Sequence, residues 1–155
     1  MLKFLLLYVF SHSLFKDTAN IEITNKKFDS LIFNVIEQLP SSMEGNYKFL
    51  TINIWQFSPG KYTFGFGKYK PGDCKNLLGM AMRDGYEIFF FSKCDVTKFI
   101  TITNKYQCDE KEFDPDSIKI IDLPFEQNYI FENDKFELSK EISLDGSLAP
   151  ICQLN

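Results

Sequence analysis

The sequence predicts an α+β domain in which one N-terminal amphipathic helix packs on a mainly antiparallel, twisted sheet of about six to eight strands. Apolar residues recur at helical spacing over residues 27–39, and beyond Gly45 the pattern changes to period two with strand-favouring residues. No second comparable helix follows, so the one helix is left to cover a face of the sheet.

Within the helix, Phe28, Leu31, Ile32, Val35, Ile36 and Leu39 fall at i, i+3, i+4, i+7, i+8 and i+11. Asp29, Asn34, Glu37 and Gln38 take the other face, and Pro40 ends the segment. An apolar stripe of this width packs on the chain's own sheet rather than on a partner.

The strands fall at residues 47–57, 61–69, 78–83, 86–93, 97–105 and 117–122, with a final pair around 129–131 and 136–138. Ser58-Pro59-Gly60, Asp84-Gly85 and Asn133-Asp134 supply the turn chemistry of a meander. Phe89, Phe90 and Phe91, flanked by Ile88, are apolar on both faces and mark a central strand.

In the first hairpin Leu50, Ile52 and Ile54 make one apolar face, and Phe49, Thr51, Asn53, Trp55 and Phe57 make a mixed one. A three-residue loop sets Ile52 opposite Phe66 and Ile54 opposite Phe64, leaving Gly65 and Gly67 in a trough rimmed by Trp55, Phe49 and Tyr69. A loop of two or four residues reverses parity and pairs Trp55 with Phe64. Pro59-Gly60 does not choose between them: it suits a type II turn, which splays a two-residue hairpin, while proline at the second place of a type I loop is also disfavoured.

Residues 1–13 read as an export signal: Lys3, then an apolar run from Phe4 to Phe10, then small residues at Ser11 and Ser13. The run is far shorter than the roughly 20 residues that span a bilayer, so no stable membrane insertion is expected after removal of the signal. Residues 14–155 then form a single domain, secreted or periplasmic, or cytoplasmic if the N-terminus is retained. The 155 residues suffice for one core, with seventeen Phe and seven Tyr against one Trp. A net charge of -4 argues against a nucleic-acid partner, since binding phosphates requires a surplus of clustered cations.

Cys74, Cys94, Cys108 and Cys152 suit two disulfides in an oxidising compartment. The expected pairs are Cys74 with Cys94, closing the shorter loop, and Cys108 with Cys152, pinning the tail. Zinc is not expected, because the chain lacks a C-x-x-C pair and any histidine beyond His12. With His12 in the segment to be removed, histidine triads, Cys-His dyads and H-E-x-x-H sites are excluded together.

Asp109, Glu110, Glu112, Asp114 and Asp116 form the densest acidic run, but Pro115 interrupts it and the calcium-loop spacing is missing; a solvated connection is expected. Gly65-Phe66-Gly67-Lys68 lacks the spacing of a phosphate loop, and its glycines alternate within a strand. Thr97, Thr101 and Thr103 give a hydroxyl-rich strand face that is ordinary solvated surface.

These readings converge on an exported, noncatalytic recognition protein with no cofactor, metal or catalytic residues, of inhibitor, immunity or ligand-binding type. Its partner is another protein or a small ligand, contacted through Asn53, Trp55, Phe57 and Tyr69. A small hydrolase or lyase using carboxylates, and a structural component of a surface assembly, are the alternatives.

Overall fold

Asn25 starts the helix. Its side-chain oxygen accepts from Lys27 N at 3.1 Å and Phe28 N at 3.0 Å, satisfying two amides that the first turn leaves without partners. The computed structural model describes residues 19–39, 48–68, 74–108 and 125–139. Helix α1 (Lys26–Gln38) buries Phe28, Leu31, Ile32, Val35 and Ile36, the stripe expected from the periodicity. A strand that the sequence did not signal, β1 (Ile21–Ile23), precedes it.

Strands β2 (Phe49–Ser58), β3 (Lys61–Gly67), β4 (Leu77–Arg83), β5 (Tyr86–Ser92), β7 (Glu126–Glu132) and β8 (Lys135–Leu138) form a six-stranded sheet in the order β4-β5-β2-β3-β7-β8. Strand β6 (Ile100–Ile102) leaves that sheet and pairs with β1. The described chain is therefore α+β, with one helix, a mostly antiparallel sheet and a small two-stranded one.

The expected meander is corrected in one respect. β2 and β5 run parallel, so three hairpins (β2–β3, β4–β5 and β7–β8) lie side by side instead of following one another. Parallel neighbours cannot be joined by a tight turn, so the chain leaves β3 and returns at the far edge with β4. The expected strand at 97–105 shrinks to three residues because Asp95 takes hold of Thr97, accepting from its N at 3.0 Å and its Oγ1 at 2.7 Å. The resulting turn drives Phe99 fully into the core, so Thr97 serves the turn and not a flat threonine face. The expected strand at 117–122, the acidic run at 109–116 and the signal segment lie outside the described residues.

The hairpin register settles the two readings of β2–β3. Ile52 lies opposite Phe66, Ile54 opposite Phe64, Asn53 opposite Gly65 and Thr51 opposite Gly67. The turn itself is the two-residue Pro59-Gly60, with Gly60 at φ +77°, a conformation glycine adopts without steric cost. A bulge between Gln56 and Ser58 adds one residue to β2 and restores the parity of a three-residue loop.

The main core is the layer between α1 and the sheet. Phe28 sits 4.8 Å from Phe64, 5.7 Å from Phe99 and 5.9 Å from Phe136, ring centre to ring centre. Leu50, Ile52, Ile54, Ile88, Phe90 and Phe131 complete the layer. Burying each such side chain contributes about 1.5–3 kcal/mol.

Candidate functional site

The face turned away from α1 is built differently. Strand alternation puts Phe49, Thr51, Asn53 and Trp55 of β2 on it, together with Gly65 and Gly67 of β3, Phe89 and Phe91 of β5 and Asn128 of β7. One row crosses four strands: Phe91, Asn53, Gly65 and Asn128 stand side by side. The next row is Phe89, Thr51, Gly67 and Glu126. Two neighbouring rows thus lack a side chain at β3, which leaves the β3 backbone there to be covered by side chains from its neighbours.

Trp55 and Asn128 lean over that backbone. A methyl group added at Gly65 would lie 2.8 Å from Asn128 Oδ1 and 3.1 Å from the Trp55 ring. Both side chains therefore rest on the glycine backbone, and position 65 admits no Cβ unless they move. Asn128 is 4% exposed, and its Nδ2 is buried with no hydrogen-bond partner. Buried amides are ordinarily paired, and one left unpaired costs about 1–3 kcal/mol.

Trp55 is held at the end of β2 by the adjoining strand. Ser92 Oγ donates to Ile54 O at 2.9 Å and accepts from Cys94 N at 2.9 Å, while Gln56 N donates to Cys94 Sγ at 3.2 Å. Beyond Trp55 the face continues through Thr63 and Ile130 to an open depression of about 250 Å³ lined by Lys61, Ile130, Glu132, Asn133, Lys135 and Glu137. Lys61 Nζ and Glu132 Oε2 approach to 3.5 Å at its rim.

At the other end, Met80 and Phe89 make a second small core with Phe49, Leu77, Phe91 and Tyr106, closed by the disulfide Cys74–Cys108. This bond corrects both expected pairings, since it takes Cys74 from Cys94 and Cys108 from Cys152. Loop length was the wrong guide: the order of strands sets Cys74, just ahead of β4, beside Cys108, which follows β6, with their Cα atoms 6.0 Å apart. Cys94 is also disulfide-bonded. Cys152 lies outside the described residues.

Of the sequence-predicted contact residues, Asn53 and Trp55 share the glycine-floored face and are half-buried. Phe57 is the bulged residue, also half-buried, and Tyr69 lies outside the described residues. Asn128 was missed, because nothing in one dimension shows that β7 begins at Glu126 and sets this asparagine opposite a glycine.

Two aspartates have carboxyls held below their ordinary range, and both are tied to turns. Asp95 is lowered by the backbone and side-chain hydrogen bonds from Thr97, and Asp134 by its hydrogen bond and ion pair with Lys27. A general acid needs the opposite shift. Burial raises the Tyr129 phenol, and burial with nearby Asp95 raises that of Tyr62. Among the described residues no three His, Cys, Asp or Glu side chains group as metal ligands, and no helix is long and apolar enough to cross a membrane.

Comparison with protein-family models, with curated proteins and with solved structures finds no match. The functional reading rests on the geometry of this face.

Proposed function

We propose that the protein is an exported, noncatalytic recognition protein that contacts its partner or ligand through the sheet face opposite α1, using Asn53, Trp55, Phe57 and Tyr69. The supporting observation is the grouping at Gly65, where the Trp55 ring and the Asn128 side chain rest on the glycine backbone and Asn53 stands beside it on β2. Aromatic and amide groups of this kind recur where a surface must offer both contact area and hydrogen bonds. The Cys74–Cys108 bond fits an oxidising compartment, in keeping with removal of residues 1–13 on export and a secreted or periplasmic location.

The test compares immobilised wild-type protein with Trp55→Ala for what each retains from the medium and surface extract of the producing cells. A component held by wild type should bind the variant more weakly by about 1 kcal/mol or more, with the thermal midpoint little changed. Equal retention by both proteins would remove this face from the proposal, and collapse of the fold would assign Trp55 to the core.

A further inference from the structure

Strand β8 closes one end of the six-stranded sheet. Ser139 N donates to Asn128 O at 2.8 Å, so Glu137 and Lys135, in phase with Ser139, turn their main-chain groups toward β7. Phe136 and Leu138 turn theirs outward, and among the described residues those outward groups have no partner. The side chains of this edge are open as well: Leu138 is 56% exposed on the α1 side, and Lys135 and Glu137 are exposed on the other. An edge of this kind is a template for a further strand.

A second copy of the chain is the first strand to consider, and the edge turns it away. The two-fold antiparallel pairing centred on Glu137 uses the outward groups of Phe136 and Leu138 in both copies, but it sets Glu137 directly against its counterpart. The pairing centred on Phe136 sets Lys135 against Glu137, but its outer hydrogen bonds fall on Asp134. That residue has φ +59°, and its carbonyl oxygen already accepts from Lys27 Nζ at 2.9 Å. The edge lacks a positive charge opposite Glu137, which makes no ion pair among the described residues.

We propose that the outer edge of β8 takes an extended segment of another protein, laid antiparallel, with a basic residue opposite Glu137 and an apolar residue on each side of it. The main-chain groups of Phe136 and Leu138 hold the segment, and its apolar residues fall beside those two side chains on the α1 side. Glu137 selects the partner, attracting a basic residue and repelling the chain's own β8. This edge is separate from the grouping at Trp55 and does not depend on the function proposed for that face.

The experiment titrates the whole protein with the peptide acetyl-Thr-Val-Lys-Val-Thr-amide, and with its counterpart carrying Glu in place of Lys, following the backbone amides by NMR. The lysine peptide should shift the Phe136 and Leu138 amide signals saturably. It should bind about fivefold more tightly than the glutamate peptide, the size of a cross-strand charge pair. Glu137→Lys, a change at an exposed position, should reverse that preference and leave the thermal midpoint in place.

No shift at Phe136 and Leu138 with either peptide would overturn the proposal and leave β8 as a charged edge that only resists aggregation. The same preference in wild type and Glu137→Lys would remove Glu137 as the selecting residue. Concentration-dependent shifts of these two amides in wild-type protein alone would give the edge to a second copy instead. Peptide binding lost in Trp55→Ala but unchanged in Glu137→Lys would move the peptide to the Trp55 face and sink the edge; binding kept in Trp55→Ala supports it.

Discussion

The two faces of the sheet are made from the same strands and follow opposite rules. Toward α1, Leu50, Ile52, Ile54, Phe64, Phe66, Ile88 and Phe90 are sealed, and the rings of Phe28, Phe64, Phe99, Phe131 and Phe136 touch one another. On the far side the same strands carry Thr51, Asn53, Trp55, two glycines and an asparagine whose donor is unpaired. Stability is concentrated on the first face. The second carries one buried amide donor without a partner, a local departure from the rule that buried polar groups are paired.

The comparison can be broken most directly at Phe28. Phe28→Ala should cost about 3–5 kcal/mol, because the ring contacts four other aromatics and leaves a cavity behind; urea unfolding measures it. If Trp55→Ala costs as much, the two faces are energetically alike and the division fails. Replacing Cys74 and Cys108 by serine removes a cross-link spanning 34 residues, a loss of about 3–4 kcal/mol in the loop-entropy account. That loss would show that the far face has its own anchor at the Met80 and Phe89 end, and a negligible change would show that the helix layer holds it alone.

The smallest effects concern pH and sharpen the division. Asp95 and Asp134 lie below the ordinary aspartate value of 3.8 in the folded protein, so their contribution is present above that value and is lost as pH falls below it. Tyr62 and Tyr129 lie above 10.0, so the folded state holds their protons more tightly and loses that advantage as pH rises past 10.0. Asp134 is bound to Lys27 of α1, and Tyr62 belongs to the helix-side core. Asp134→Asn should flatten the acid limb of the thermal midpoint against pH, and Tyr62→Phe the alkaline limb, with little change near neutrality.

The helix was legible because a 3.6-residue period over six apolar positions has one solution and Pro40 ends it; its Asn25 cap was not read from the sequence. The β2–β3 register was legible only as two alternatives. Loop length alone does not fix parity once a bulge at Phe57 adds a residue, and the bulge has no sequence signature there. Strand β1 was invisible because three residues carry no period. The disulfide and Asn128 were beyond reach for one shared reason: each depends on which strands are neighbours, and the parallel step from β2 to β5 is written in long-range packing, not in local pattern. Asn53 and Trp55 could be chosen from the strand itself, since alternation alone puts them together.

Asn20 has a consequence for how this molecule behaves in a crowd. It lies against β4, the last strand at one end of the sheet, donating from N to Met80 O at 3.0 Å and accepting from Met80 N on Oδ1 at 2.9 Å. Its Nδ2 reaches Leu78 O at 3.2 Å, and Gly79, at φ +150°, yields the space, since a methyl there would collide with the Asn20 amide. These are the hydrogen bonds that a strand from another molecule would seek. Asn20 thus answers backbone groups of Leu78 and Met80 from within the chain, and at those two residues β4 has nothing left to offer a second molecule.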